Sequence, residues 1–205
     1  MEGIKRDVDV FGKLKRVFRN RTFLAVFLGQ LAFFFLFGLM FSYGPIYAKE
    51  RFGFLNEHIG LLFFTYYVLN ALVRFSLTKI VTIRRETKDV LFLSSLLGAA
   101  VLAIIMGFTE LPIIFMIGFV LVGMLQGMLF PVGVMLVNAS VGARDVILAN
   151  SAILMALDIG QASAPIVTAP LVITIGTAFT FVFSSVLIIA FMIIYSYLRI
   201  GKKKL

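Results

Sequence analysis

The chain has no cysteine, no tryptophan, one histidine and few charges, and each shortage removes a class of function. Without cysteine there is no disulfide framework and no thiolate chemistry. One histidine, His58, leaves neither a His-rich metal site nor an intramembrane Ser–His nucleophile. Charged residues are 14 % of the sequence, where a soluble domain keeps about a quarter. There is no Gly-rich phosphate loop, so the chain has no nucleotide site of its own. We therefore expect no enzyme, no metal and no cofactor.

Apolar length is what the chain has in excess. Hydrophobic residues make up 61 % of it, with 23 Phe, and its mean hydropathy is +1.06. So much apolar surface has no place in a soluble fold of 205 residues, and the solvent is lipid. About twenty apolar residues cross a bilayer core as a helix. Six such runs are expected, at 22–47, 57–80, 89–108, 111–138, 145–172 and 176–198. Their breaks have local causes. Gly44-Pro45 and "KERFGFLNEH" end the first run, and "IRRETKD" ends the second. "TELP" parts the third and fourth, with Thr109 to cap and Pro112 in a first turn. "NASVGARD" and "TIGT" make the last two turns. An all-α domain over 22–199 follows, because backbone in lipid must satisfy its own hydrogen bonds. Residues 1–21 and 200–205 are expected to be basic tails.

Sixteen of the nineteen Lys and Arg fall on one side of this arrangement, in the N-terminal tail, the second–third loop, the fourth–fifth loop and the C-terminal tail. Only Lys49 and Arg51 lie on the other side, and Arg74 lies within the second run. The net charge of +9 is thus membrane topology rather than a nucleic-acid surface. Both termini are expected in the cytoplasm, in the plasma membrane. The first three runs and the last three enter from opposite sides, so they form two inverted three-helix sets. "FGLMFSYGPIY" and "VGMLQGMLFPVGV" echo each other as Gly followed by Pro. Inverted triplets are a transporter device.

Residues 118–167, "GFVLVGMLQGMLFPVGVMLVNASVGARDVILANSAILMALDIGQASAPIV", resemble the tenth and eleventh helices of a major facilitator superfamily transporter. Asp158, Gly160 and Pro165 fit the "D-x-G-x-x-x-x-P" run, with Ala164 where the family has Gly. "RVFRNRTFLAVFLGQLAFFFLFG" resembles the linker and seventh helix. The resemblance implies the C-terminal six-helix half of a twelve-helix secondary transporter with alternating access. It implies a small-molecule substrate, protons as a candidate coupling ion, and a second six-helix half or a second copy as partner. The family's basic loop departs here: with Arg84-Arg85 at its end, Ser76 replaces the Gly and Ile80 the Asp. The alternative is a truncated or non-transporting six-helix membrane subunit that assembles with another chain.

Asp158 is the sharpest candidate. A carboxylate near the bilayer midplane costs about 2.5–3.5 kcal/mol even on the insertion scale, unless it faces a wet cavity or a partner. It would hold a cationic or polar substrate, or a proton. Gln126, Gln30 and Tyr43 are its candidate neighbours, as uncharged polar groups within the spans, although amides there also serve as interhelical glue. Gating candidates are Pro131, Gly160 and Pro165, where a helix can bend, and Arg74, which could snorkel or pair with Asp145 or Asp89.

Overall fold

The computed structural model describes residues 10–77 and 85–200, and every regular element among them is an α-helix. In chain order these are α1 (Val10–Phe18), α2 (Arg21–Phe52), α3 (Asn56–Leu77), α4 (Arg85–Phe108), α5 (Pro112–Asn138) and α6 (Val146–Ile200). The motif positions Ile80 and Arg84 lie outside the described residues.

α2 begins at a built cap. The Asn20 side-chain oxygen accepts from the amides of Thr22 (3.0 Å) and Phe23 (3.3 Å). Its Nδ2 donates to the Ser140 carbonyl at 2.6 Å, which ties the start of α2 to the turn after α5. α2 passes the expected end at 47 and stops inside the charged "KERFGFLNEH" rather than at Gly44-Pro45. It runs through Pro45 to Phe52 and ends at Gly53, whose φ of 68° is left-handed. Gly53 N–H then donates to Lys49 O and Phe54 N–H to Ala48 O, which closes the last turn. Proline is tolerated inside a membrane helix, so Gly44-Pro45 interrupts the sequence pattern without ending the helix.

α6 holds 55 residues. Unbroken, it would be about 80 Å long, against a bilayer core of about 30 Å. Gly176, with φ 83° and ψ 160°, breaks it into a first limb, 146–175, and a second limb, 177–200. This is the turn expected at "TIGT". Asp145, just before α6, pairs with Arg16 of α1 at 3.8 Å, and Arg199 at the far end of α6 donates to Thr22 Oγ1 at the start of α2 at 3.0 Å. The second limb runs antiparallel to α4, with Ala178 and Phe181 against Gly107 at one end and Tyr195 bonded to Asp89 at the other. Among the described residues, five helices are long and apolar enough to cross a membrane, and α6 has length for two crossings.

α2 is the central helix. In its most apolar window 83 % of residues are buried, against 17 % in that of α3. Phe23, Phe33 and Phe34 of α2 fill the core with Phe92 of α4, Phe115 and Phe119 of α5 and Phe181 of α6. Phe rings supply apolar bulk without a polar atom to satisfy, which suits a bundle packed in lipid.

Two parallel pairs of helices cross backbone to backbone, and the antiparallel pair of α4 and the second limb makes a third such approach, where a Cβ at Gly107 would stand 2.7 Å from Ala178 O. α3 and α5 run parallel: a Cβ at Gly123 would stand 2.7 Å from Tyr66 O, and one at Gly127 2.5 Å from Asn70 O. α2 and the first limb of α6 also run parallel. Gly38 abuts Gln161 O, and a Cβ at Gly160 would stand 2.6 Å from Leu31 O. Only glycine permits these approaches. α1 is the one helix the sequence pattern does not announce; it falls within the expected tail 1–21.

Candidate functional site

The α2–first limb crossing leaves an open depression of about 420 Å³ on one side. It is lined by Gly38, Phe41 and Ser42 of α2, and by Asp158, Gln161, Ala162 and Pro165 of α6. Asp158 is exposed, and so are Ser42 and Ala162. Local sequence explains the shape. Pro165 has no N–H, so the Gln161 carbonyl loses its helical partner. That carbonyl is the atom Gly38 packs against. Small residues on both helices keep the wall shallow, and the carboxylate stands at its edge.

Phe41 supplies an aromatic wall. Its ring centroid lies 4.2 Å from that of Phe37, 4.7 Å from Phe63 and 6.0 Å from Tyr67. A carboxylate, a hydroxyl, an amide and an aromatic surface therefore meet around one hollow. That set can hold a cation by charge and ring quadrupole, or a polar solute by hydrogen bonds.

The other predicted residues fall elsewhere. Gln126 is 6 % exposed, and its Oε1 accepts from Tyr66 OH at 2.9 Å and Asn70 Nδ2 at 2.7 Å. Asn70 Nδ2 also donates to Gly123 O at 3.1 Å. This is a buried clamp joining α3 to α5. Gln30 is fully buried, and its Nε2 donates to Leu129 O (3.3 Å) and Phe130 O (3.5 Å) on α5. These carbonyls immediately precede Pro131, so α2 is bonded to the stretch of α5 where that proline sits. Tyr43 is half-buried and is not among the residues lining the depression. Of the gating candidates, Gly160 and Pro165 belong to the crossing beside Asp158, and Pro131 to α5.

Arg74 lies 5.5 Å from the Phe130 ring centroid, in a cation–π contact. Neither acid considered for it is at hand. Asp145 pairs with Arg16, and Asp89 accepts from both Arg199 and Tyr195. The cluster of Asp89, Tyr195, Arg199 and Thr22 joins α4, α6 and α2 and was not foreseen. Asp89 begins the third apolar run and Arg199 ends the sixth, so their shared membrane level was the available signal. His58 Nδ1 accepts from Leu55 N–H at 3.1 Å, as a helix-start residue.

Two observations now meet: a bundle of membrane-length helices, and a family match. The Major Facilitator Superfamily model matches residues 55–204, which run from the start of α3 into the C-terminal tail. The chain belongs to the Major Facilitator Superfamily. A search of the curated proteins finds no match to it. As a major facilitator protein it is an integral membrane protein of a transporter family rather than an enzyme family. The matched stretch contains Arg74, Gln126, Pro131, Asp158, Gly160 and Pro165, whereas Gln30 and Tyr43 precede it.

Proposed function

We propose that this chain is one six-helix half of an alternating-access secondary transporter, with the depression at Asp158 as its share of the solute path. The exposed carboxylate carries the reading. A membrane-spanning helix keeps an exposed acid only beside water, a solute or a partner. The solute is a cation or a polar molecule, held by Asp158, Ser42, Gln161 and the face of Phe41. Asp158 is also the one described acid placed to bind a proton within that hollow. Gly160 and Pro165 let the first limb of α6 shift against α2.

The two parallel crossings support an inverted three-plus-three plan. Gly127 against Asn70 and Gly38 against Gln161 are related by about ninety positions in each partner, as repeats over 22–108 and 111–198 require. The sixteen-to-two bias of basic residues supports six spans with both termini in the cytoplasm. The chain completes its path with a second six-helix half or a second copy.

Flux of labelled organic cations through proteoliposomes holding the assembled transporter tests the site. Asp158→Asn abolishes the flux while insertion and folding persist, and Asp158→Glu retains part of it. Full flux through Asp158→Asn refutes the reading. Orientation is read separately: cysteine at Asn56 reacts with an impermeant maleimide in intact cells, and cysteine at Lys203 does not. The opposite pattern overturns the topology.

A further inference from the structure

α1 is not accounted for by a solute path. It has nine residues, and it is separated from α2 by the extended Asn20 (φ −74°, ψ 112°), so it is not a straight extension of the first span. Its inner face is apolar. Val17 is buried, Leu14 is half-buried, and the Phe18 ring lies 5.1 Å from both Phe23 and Phe27. Its outer face is basic. Residues 10–21 contain Lys13, Lys15, Arg16, Arg19 and Arg21 and no acid. All five are exposed. Only Arg16 has an ionic partner among the described residues, Asp145 at 3.8 Å, and its side chain stays 68 % exposed. At the end away from α2 stands Phe11, 86 % exposed and one turn from Lys15.

The apolar face of α1 packs on the bundle, so what it offers outward is a juxtamembrane cluster of basic side chains with an exposed Phe at its free end, the pattern that attracts anionic headgroups. Arg21 opens the first span, so α1 lies where that span meets the headgroups. The nearest anions at that level are lipid phosphates. We propose that α1 is a foot for an anionic lipid surface: Lys13, Lys15 and Arg19 face the headgroups, and Phe11 enters the interface beside them. Positive flanking charge alone would orient the spans. It would not require those charges to be held on a packed helix, or Phe11 to stand among them. The inference needs only that α2 spans the bilayer, and it is independent of the transport reading.

The absence of native tryptophan makes the test direct. Phe11→Trp in the full chain creates a single indole fluorophore at an exposed position. The protein is reconstituted into phosphatidylcholine vesicles, with or without phosphatidylglycerol, using acyl chains brominated near the headgroup. Anionic lipid shifts the indole emission to the blue and deepens its quenching by bromine. Salt reverses both changes, because screening acts on exposed charges. Adding Lys13→Gln and Lys15→Gln removes the dependence on anionic lipid, while inorganic phosphate at matched ionic strength produces no shift. Emission and quenching that are equal in the two lipid compositions overturn the proposal. So does a shift produced by inorganic phosphate alone, which would make α1 an anion site rather than a lipid foot.

Discussion

The two parallel glycine crossings use the same backbone device and differ in everything around it. Where α3 meets α5, Tyr66 and Asn70 both donate to Gln126, and Asn70 reaches Gly123 O as well. Where α2 meets the first limb of α6, no side-chain hydrogen bond links the two helices among the described residues, and Pro165 has freed the carbonyl at the contact. The first crossing is bolted. The second is held by close packing alone and opens onto an exposed acid. The alternating access proposed for this chain needs a rigid part to lever against and a part that shifts, and these crossings are suited to the two tasks in that order.

The most severe way to break the comparison is to widen either crossing. Gly38→Val drives a side chain into Gln161 O, and Gly127→Val places a Cβ about 2.5 Å from Asn70 O. Overpacking of this kind costs about 1–3 kcal/mol, more where backbone cannot retreat. Both variants should lower the midpoint of circular-dichroism melting in detergent. Gly127→Val should lower it further, because it also pulls apart the Gln126 clamp. Equal loss in the two variants would mean that the bolts add nothing.

Removing the bolts alone is the next effect in size. Gln126→Leu leaves Tyr66 OH and one donor direction of Asn70 without their acceptor. The expected loss is about 1–2 kcal/mol, near the upper end for polar contacts between membrane helices. Tyr66→Phe, which removes one donor and leaves Asn70 in place, should lose about 0.6 kcal/mol. A clamp that yields no loss in either variant is not a clamp.

The smallest change sharpens the other crossing. Pro165→Ala restores an N–H that can close the bond to Gln161 O. It should raise stability by about 1 kcal/mol or less and slow transport, because the first limb of α6 loses its loose turn. Faster transport would separate Pro165 from gating.

The same contrast shows where the sequence was readable. The apolar runs made the helices legible, since they follow from the cost of polar groups in lipid. The break near Gly176 was legible because "TIGT" interrupts a run too long for one crossing. The end of α2 was not. Gly44-Pro45 looks like a terminus by local rules, yet the helix continues to the true stop at Gly53, which only backbone conformation reveals. Asp158 was legible as an isolated acid in apolar surroundings. Its neighbours were not, because Gln126, Gln30 and Tyr43 share composition with it rather than position. Two amides on adjacent apolar runs look alike until packing commits one to Tyr66 and Asn70 and another to the carbonyls before Pro131. The Asp89–Arg199 cluster required pairing residues 110 positions apart. α1 was missed because nine residues are too few to span and its charges were already explained by topology.

One asymmetry is central to the proposed solute path: Asp158 is exposed at the depression, and Gln126 is buried. The chain lacks cysteine, so one introduced thiol reports on one place. The measurement is the rate of modification of Asp158→Cys and Gln126→Cys by a charged, water-borne methanethiosulfonate in the reconstituted transporter. Rapid labelling at position 158, slowed by a bound organic cation, and none at position 126 is the predicted result. An inert thiol at position 158, or equal labelling at both positions, would contradict it.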